Sequence, residues 1–190
     1  MKVLLINGSP HRKGCTFTAL QEVENTLLAN GVDTEIVWVG TKVIPGCLGC
    51  GKCRNAGPCV LDDMVNQIQE HLHEFDGIVV GSPVYYGGIS GQLKCLLDRL
   101  FQCSLYEFYG MAASAIVSCH WGGASTALQS LNMYFTISNM TVVGSQYENH
   151  VHGFTPEDVK KDKGGMQAMR TLARNMIWHL KCIEAGIKQV

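Results

Sequence analysis

The chain alternates short, almost continuous apolar runs with longer stretches whose apolar residues recur every three or four positions. Val3 to Ile6 is the first run, closed by Asn7-Gly8. Four apolar residues bounded by turn formers predict a buried strand. Phe17, Leu20, Val23, Leu27 and Leu28 then recur at helical spacing, and Gly31 ends that helix. Glu35 to Val39 predicts a second strand. Asp62-Asp63 opens a helix with Val65, Ile68, Leu72 and Phe75 on one face. Carboxylates at a helix start complement the backbone N–H groups there, and no further role is expected of these two. Gly77 to Gly81 predicts a third strand, followed by a helix with Leu93, Leu96, Leu97, Leu100 and Phe101 in one stripe. Ala112 to Val117 predicts a fourth strand, Ala124 to Ile137 a helix, and Thr141 to Gly144 a fifth strand. A loop with Gly153 and Pro156 leads to a last helix carrying Met166, Met169, Leu172, Met176, Ile177 and Leu180.

Five strands alternating with five helices predict a doubly wound α/β fold. The expected architecture is a five-stranded parallel sheet with helices on both faces, in one domain over residues 1–190. Strands apolar on both sides suit a sheet covered on both faces. A cysteine-rich loop, residues 45–60, follows the second strand. No internal repeat, linker or low-complexity segment interrupts the pattern. In such sheets ligands bind outside the carboxyl ends of the strands, at the topological switch point. The loops after the first, third and fourth strands are therefore expected to converge.

Composition narrows the partners. The 190 residues are 46% hydrophobic and 16% charged, with a formal net charge of −1. A sizeable core is available, and no basic surface for nucleic acid or anionic membrane is expected. Met1 to Ile6 is too short an apolar run for a signal peptide, and no stretch is long enough to span a bilayer. Cytoplasm is the expected location, so the Asn-x-Ser/Thr triplets at Asn7 and Asn139 read as chance. Nine cysteines are an odd number with four of them clustered, which argues against a secreted disulfide framework.

Those four, Cys47, Cys50, Cys53 and Cys59, are spaced C-x2-C-x2-C-x5-C. Thiolates packed this densely usually hold a metal or a cluster. Structural zinc usually takes two Cys-x-x-Cys hooks separated by a longer stretch. Cysteines at i, i+3 and i+6 on a glycine-rich loop look more like the cradle of a cubane cluster. Gly46, Gly49 and Gly51 let the backbone curl and aim N–H groups at sulfur. A single [4Fe–4S] cluster on all four is the simplest reading. Zinc, a redox-active dithiol and an unfilled loop stay open.

The first of the three loops, Asn7 to Thr16, joins a strand to a helix and carries hydroxyls, glycines and cations, which suits a phosphate. It is neither a Walker A loop nor G-x-G-x-x-G, so a terminal monophosphate is expected. Its candidate binders are Ser9, His11, Arg12, Gly14, Cys15 and Thr16. The second loop offers Pro83, Val84, Tyr85, Tyr86 and Gly87, where a flat ring could stack and meet backbone amides. The third offers Ser118, Cys119, His120, Trp121, Gly122 and Gly123, with two glycines for close backbone approach. One ligand with a monophosphate at one end and a planar ring at the other is expected, a shape that FMN fits.

The segments GSPHRKGCT, SPVYYGGISGQLKCLLDRL and HWGGASTALQSLNMYF, the last followed by MTVVG, resemble the flavodoxin-like NAD(P)H-dependent FMN reductase superfamily nearly end to end. The compact cysteine run followed by VLDDM resembles its iron–sulfur flavoprotein branch. His11 stands where that family commonly has Arg, and Cys15 where it has Asn. The resemblance implies FMN on the three loops, one [4Fe–4S] cluster per subunit, and a homodimer or homotetramer in which a cluster approaches a neighbour's flavin. It implies ferredoxin or NAD(P)H as electron donor.

The expected function is an FMN-dependent oxidoreductase passing electrons between cluster and flavin, with the cofactors carrying the chemistry. Two alternatives stand beside it. One is a plain NAD(P)H-dependent FMN or quinone reductase with a structural cysteine loop; the other is a non-catalytic flavodoxin-type binder. Cys95, Cys103 and Cys182 are expected to be packing residues within helices. Cys15 and Cys119 lie in ligand loops, where small packing roles are also expected.

Overall fold

A computed structural model describes residues 1–55 and 57–187. Ala56, inside the expected cysteine loop, and residues 188–190, at the end of the expected domain, lie outside the described residues. The chain order is β1 (Lys2–Asn7), α1 (Cys15–Leu28), β2 (Asp33–Trp38), α2 (Met64–His71), β3 (Gly77–Pro83), α3 (Gly91–Cys103), β4 (Ala112–Cys119), α4 (Ala124–Ile137), β5 (Thr141–Val142), β6 (His150–His152), α5 (Pro156–Lys161) and α6 (Lys163–Ile187). Short 3₁₀ turns lie at Lys52–Asn55 and Leu72–Glu74.

The sheet is parallel throughout, in the order β2-β1-β3-β4-β5, with β6 also on β4. Its strands alternate between two cores, as side chains of period two must when both faces are covered. Leu4 and Ile6 of β1, with Ile78 and Val80 of β3, pack with α2, α3 and α4. Val3 and Leu5, with Val79, pack with α1 and α6 on the other face. The chain leaves β1 for β2 and returns to β3 on the opposite side, so the switch point lies between β1 and β3. This is the flavodoxin-like winding.

Among the described residues the expected fifth strand is divided in two. Thr141↔Ala112 and Val142↔Ala113 pair at the start of β4, and His150↔Val117 to His152↔Cys119 pair at its end. Residues 144–148 leave the ladder between them, so two short strands share the fifth position. Asn149 fills the gap by donating from Nδ2 to Ser114 Oγ (3.1 Å), and Ser114 Oγ donates to Val143 O (2.7 Å). The expected loop around Pro156 contains α5, with a Thr155/Asp158 capping box and proline in the first turn. The helix opened by Asp63 tightens to 3₁₀ at Leu72. Among the described residues no helix is long and apolar enough to cross a membrane.

Candidate functional site

Three helices begin at the carboxyl ends of β1, β3 and β4, and none is capped by a side chain. The N-caps are Gly14 for α1, Ser90 for α3 and Gly123 for α4. None of the three has an acidic residue in its first turn. The contrast is with α2 and α5, whose first turns are capped by Asp63 and Thr155 side chains. Uncapped N–H groups with the positive end of the helix dipole suit an anion or a polar ring edge.

The first loop is braced from within. Buried Asn7 accepts from Ser9 N–H through Oδ1 (3.1 Å) and donates from Nδ2 to Arg12 O (3.2 Å). His11 N–H donates to Ser9 Oγ (3.1 Å), and Gly14 N–H to His11 O (3.2 Å). Trp38 Nε1 donates to Ser9 O (2.8 Å), while the Arg12 guanidinium lies 5.6 Å from the Trp38 ring centroid. Gly8 cannot carry a side chain, since a Cβ would meet Leu93 Cδ2 at 2.5 Å and Gly81 O at 2.9 Å. That loop is thereby pressed against β3.

The structure brings the three loops together by direct bonds. Ser90 Oγ donates to Gly8 O (2.6 Å), and the Thr16 and Ser118 hydroxyls are 2.8 Å apart. Val84 N–H donates to Ser118 O (2.9 Å). Tyr85 and Gly88 exchange two backbone bonds, each 2.9 Å, around Tyr86 and Gly87 at φ 50° and 76°. Two central residues at positive φ mark a type I′-like turn, which thrusts Tyr86 fully into solvent. Gly123, at φ 88°, lies so close that a Cβ would meet Gly87 Cα at 2.8 Å. Pro83 ends β3 beside Ser118 of β4. His120 stands edge-on to Trp121 (4.8 Å) and to Phe154 (5.3 Å), and both of those rings are exposed. Gly122 has open space around it. Burial pushes the Cys15 and Cys119 thiols up from their ordinary values, which keeps both protonated. Cys119 Sγ lies 3.4 Å from His152 Nδ1.

The cysteine run lies in the connection from β2 to α2. Cys47, Cys50, Cys53 and Cys59 line one cavity with Leu48, Arg99 and Gln102. Gly49 and Gly51 take the left-handed conformation at φ 63° and 69°. Asn66 of α2 clasps Cys59 from both sides, accepting from its N–H and donating to its carbonyl, each at 3.0 Å. Arg99, on α3 and 1% exposed, donates to Cys59 Sγ (3.3 Å), Pro45 O (3.4 Å), Leu61 O (2.6 Å) and both oxygens of Asp63 (2.6 and 3.0 Å). Desolvation opposes the guanidinium's charge, but the bonds to Asp63 and Cys59 outweigh it and its pKa is raised. Asp63 is thus more than the helix cap expected of it: it caps α2 through Val65 N–H (3.0 Å) and neutralises Arg99 as well. Among the described residues no three His, Cys, Asp or Glu side chains are gathered tightly enough for one metal ion.

A family model described as NADPH-dependent FMN reductase matches residues 1–152. An iron–sulfur flavoprotein of Methanocaldococcus jannaschii is 33% identical, over 97% of this chain and all of the relative. Another, from Methanosarcina thermophila, is 30% identical over 97% of each. The chain belongs to the NADPH-dependent FMN reductase family, in its iron–sulfur flavoprotein branch. It is an FMN-dependent oxidoreductase. The fold of the flavoprotein is similar to that of a WrbA-like flavodoxin from Agrobacterium tumefaciens, with a TM-score of 0.62 at 15% identity, covering 95% of this chain and 96% of the other.

Several residues that shape the flavoprotein's sites were invisible in its sequence. Asn7, Trp38 and Ser90 brace the first loop, Phe154 joins the aromatic rim, and Arg99 and Asn66 hold the cysteine run. The only local signal was polarity inside an apolar stretch: Arg99 sits between Leu97 and Leu100 at a spacing that faces the core. Of the cysteines expected to pack in helices, Cys103 is buried and Cys182 is exposed. The first of these has its thiol pushed up by burial, and Cys53 and Cys59 add to the shift.

Proposed function

We propose that the flavoprotein moves electrons between FMN in the three-loop cleft and a [4Fe–4S] cluster on Cys47, Cys50, Cys53 and Cys59. The observation that carries this reading is the convergence of all four cysteines on one cavity, with a buried guanidinium donating to one of the sulfurs. The donor set fits the group. Four thiolates supply the ligands, and left-handed glycines curl the loop around them. Cysteines at i, i+3 and i+6 on a glycine-rich loop suit a cubane better than the two separated Cys-x-x-Cys hooks of structural zinc. The relatives' description as iron–sulfur flavoproteins supports it as well.

Ser9, His11, Arg12, Gly14, Cys15 and Thr16, with the open amides of α1, are assigned to the phosphate end. Pro83, Val84, Tyr85, Tyr86 and Gly87, with Ser118, Cys119, His120, Trp121, Gly122 and Gly123, are assigned to the ring. When bound, FMN supplies two-electron chemistry and the cluster one-electron steps. The protein's own residues position the ring edge against backbone amides and hold the thiolates in register. Electrons come from ferredoxin or NAD(P)H, and the working form is a homodimer or homotetramer.

The deciding measurement is iron and acid-labile sulfide per FMN in protein purified without oxygen. About four of each per flavin is expected for a cubane. Flavin with no iron would sink the cluster and leave a plain reductase with a structural loop. Replacing Cys50 by serine should abolish the iron-dependent absorption and leave FMN content unchanged. Undiminished iron in that variant would remove Cys50 from the ligand set.

A further inference from the structure

Arg99 uses every hydrogen it has. A guanidinium carries five N–H donors in a fixed plane and accepts nothing. Here Nε–H donates to Cys59 Sγ, Nη1 donates to Pro45 O and Asp63 Oδ2, and Nη2 donates to Leu61 O and Asp63 Oδ1. Pro45 precedes the first cysteine by two residues, and Leu61 follows the last by two. One side chain thus ties together both ends of the cysteine run and its fourth sulfur. Arg99 is 1% exposed and Asp63 25%, so solvent screens these contacts only in part. Asp63 lies within the same bidentate pair, at 2.6 and 3.0 Å, and is itself held by Val65 N–H.

We propose that Arg99 is the residue that sets the reduction potential of the cluster, by donating Nε–H to Cys59 Sγ from a guanidinium locked by its four other bonds, with Asp63 as the opposing charge. The inference rests on the cluster reading above. Its physical basis is that reduction adds negative charge to the cluster and its sulfurs. A cationic donor fixed on one sulfur stabilises the reduced form and raises the potential. A carboxylate fixed beside it does the reverse. Burial makes both effects larger than they would be in water. Lysine retains the charge but has neither the plane nor the fork, so it cannot hold the loop ends and the sulfur at once.

The test is redox titration of the full chain purified without oxygen, following the reduced cluster by electron paramagnetic resonance and FMN by visible absorption. Arg99→Gln and Arg99→Lys should each move the cluster midpoint to more negative values, glutamine further than lysine, with the FMN midpoint unchanged. Asp63→Asn should move it the other way. Asparagine still caps α2 through Oδ1, but its amide nitrogen cannot accept from Nη1, so this variant removes the opposing charge and one locking bond without unmaking the helix, and it carries the test if an Arg99 variant holds no cluster. A residue that merely packs the loop would not produce shifts of opposite sign. Midpoints equal to the wild type in the Arg99 variants, or a negative shift in Asp63→Asn, would overturn the inference while the cluster stands. Wild-type protein without iron would overturn the cluster reading itself, and this inference with it.

Discussion

Gly123 combines a left-handed backbone with a close approach between the second and third loops. It is left-handed at φ 88°, and a Cβ there would reach Gly87 Cα at 2.8 Å. An L-residue in that conformation costs about 1–2 kcal/mol before any clash is counted. Gly123→Ala should therefore weaken FMN binding by at least about tenfold, since each ~1.4 kcal/mol is one decade of affinity. Fluorescence titration of FMN would measure it, and wild-type affinity would show that the second and third loops need not touch. Tyr134 permits a second residue-level prediction. Burial, then its bond to Asp98, pushes the Tyr134 phenol up to about 12, against the pull of Lys94. A raised folded pKa means that the neutral phenol is favoured in the native state, so its stability contribution is whole below about pH 10 and is lost as pH rises towards 12. Unfolding free energies from pH 9 to 12 should fall more steeply in wild type than in Tyr134→Phe; parallel curves would contradict this. The cysteines were legible because their chemistry is local, four thiols within thirteen positions. Arg99 was not, because its partners lie 36 to 54 residues away. Asp63 was legible only as a cap, because capping is read within one turn and its ion pair crosses the fold.

Among the elements, β1, β3 and β4 were legible because a strand covered on both faces is apolar at nearly every position, whereas the edge strand β2 was legible from Glu35 onward and its polar start at Asp33-Thr34 was not. The fifth was legible only in part. Its two halves are two and three residues long, and only their register on β4 shows that they share one position. Strand β6 carries a pH dependence. His150 has its pKa lowered by burial and by His152, against the pull of Glu148 and Asp162. A base with a depressed folded pKa binds fewer protons when native than when unfolded. Its stabilising contribution is whole above about pH 6.5 and is lost as pH falls through the folded value. Thermal midpoints should decline between pH 7.5 and 5, and less so in His150→Gln. Exchange of the Val151 amide should quicken over the same range if β6 is the part that loosens. An unchanged slope in the variant would assign the acid sensitivity elsewhere.

On the scale of the whole molecule, the three-loop cleft and the cysteine cavity share one helix. Ser90 at the start of α3 bonds Gly8 of the first loop, and Arg99 lies nine residues further along. At 1.5 Å per residue this is about 14 Å of helix axis. The cysteine loop is anchored by hydrogen bonds from Arg99 and Asn66 and by the ion pair of Arg99 with Asp63. Stripping the iron of the proposed cluster with a chelator should therefore leave FMN content intact and lower the thermal midpoint by no more than ~5 °C, equivalent to ~1–2 kcal/mol in a domain of this size. Calorimetry of the stripped and intact protein tests this, and a collapse of the fold would make the metal a structural core instead.

The sequence by itself determined the alternation of strands and helices, the parallel sheet and the candidate cysteine ligands. Each follows from periodicity or from chemistry contained in a short span, which a linear reading can see. Tertiary structure alone decided which residues brace the loops: Asn7 and Trp38 beneath the first, Gly123 against Gly87 between the second and third, Arg99 across the cysteine run. Apart from those of Asn7, whose partners Ser9 and Arg12 are local, these contacts join positions far apart along the chain. They exist only because the winding of the sheet brings the carboxyl ends of β1, β3 and β4 to one edge and lays α3 beneath the connection from β2.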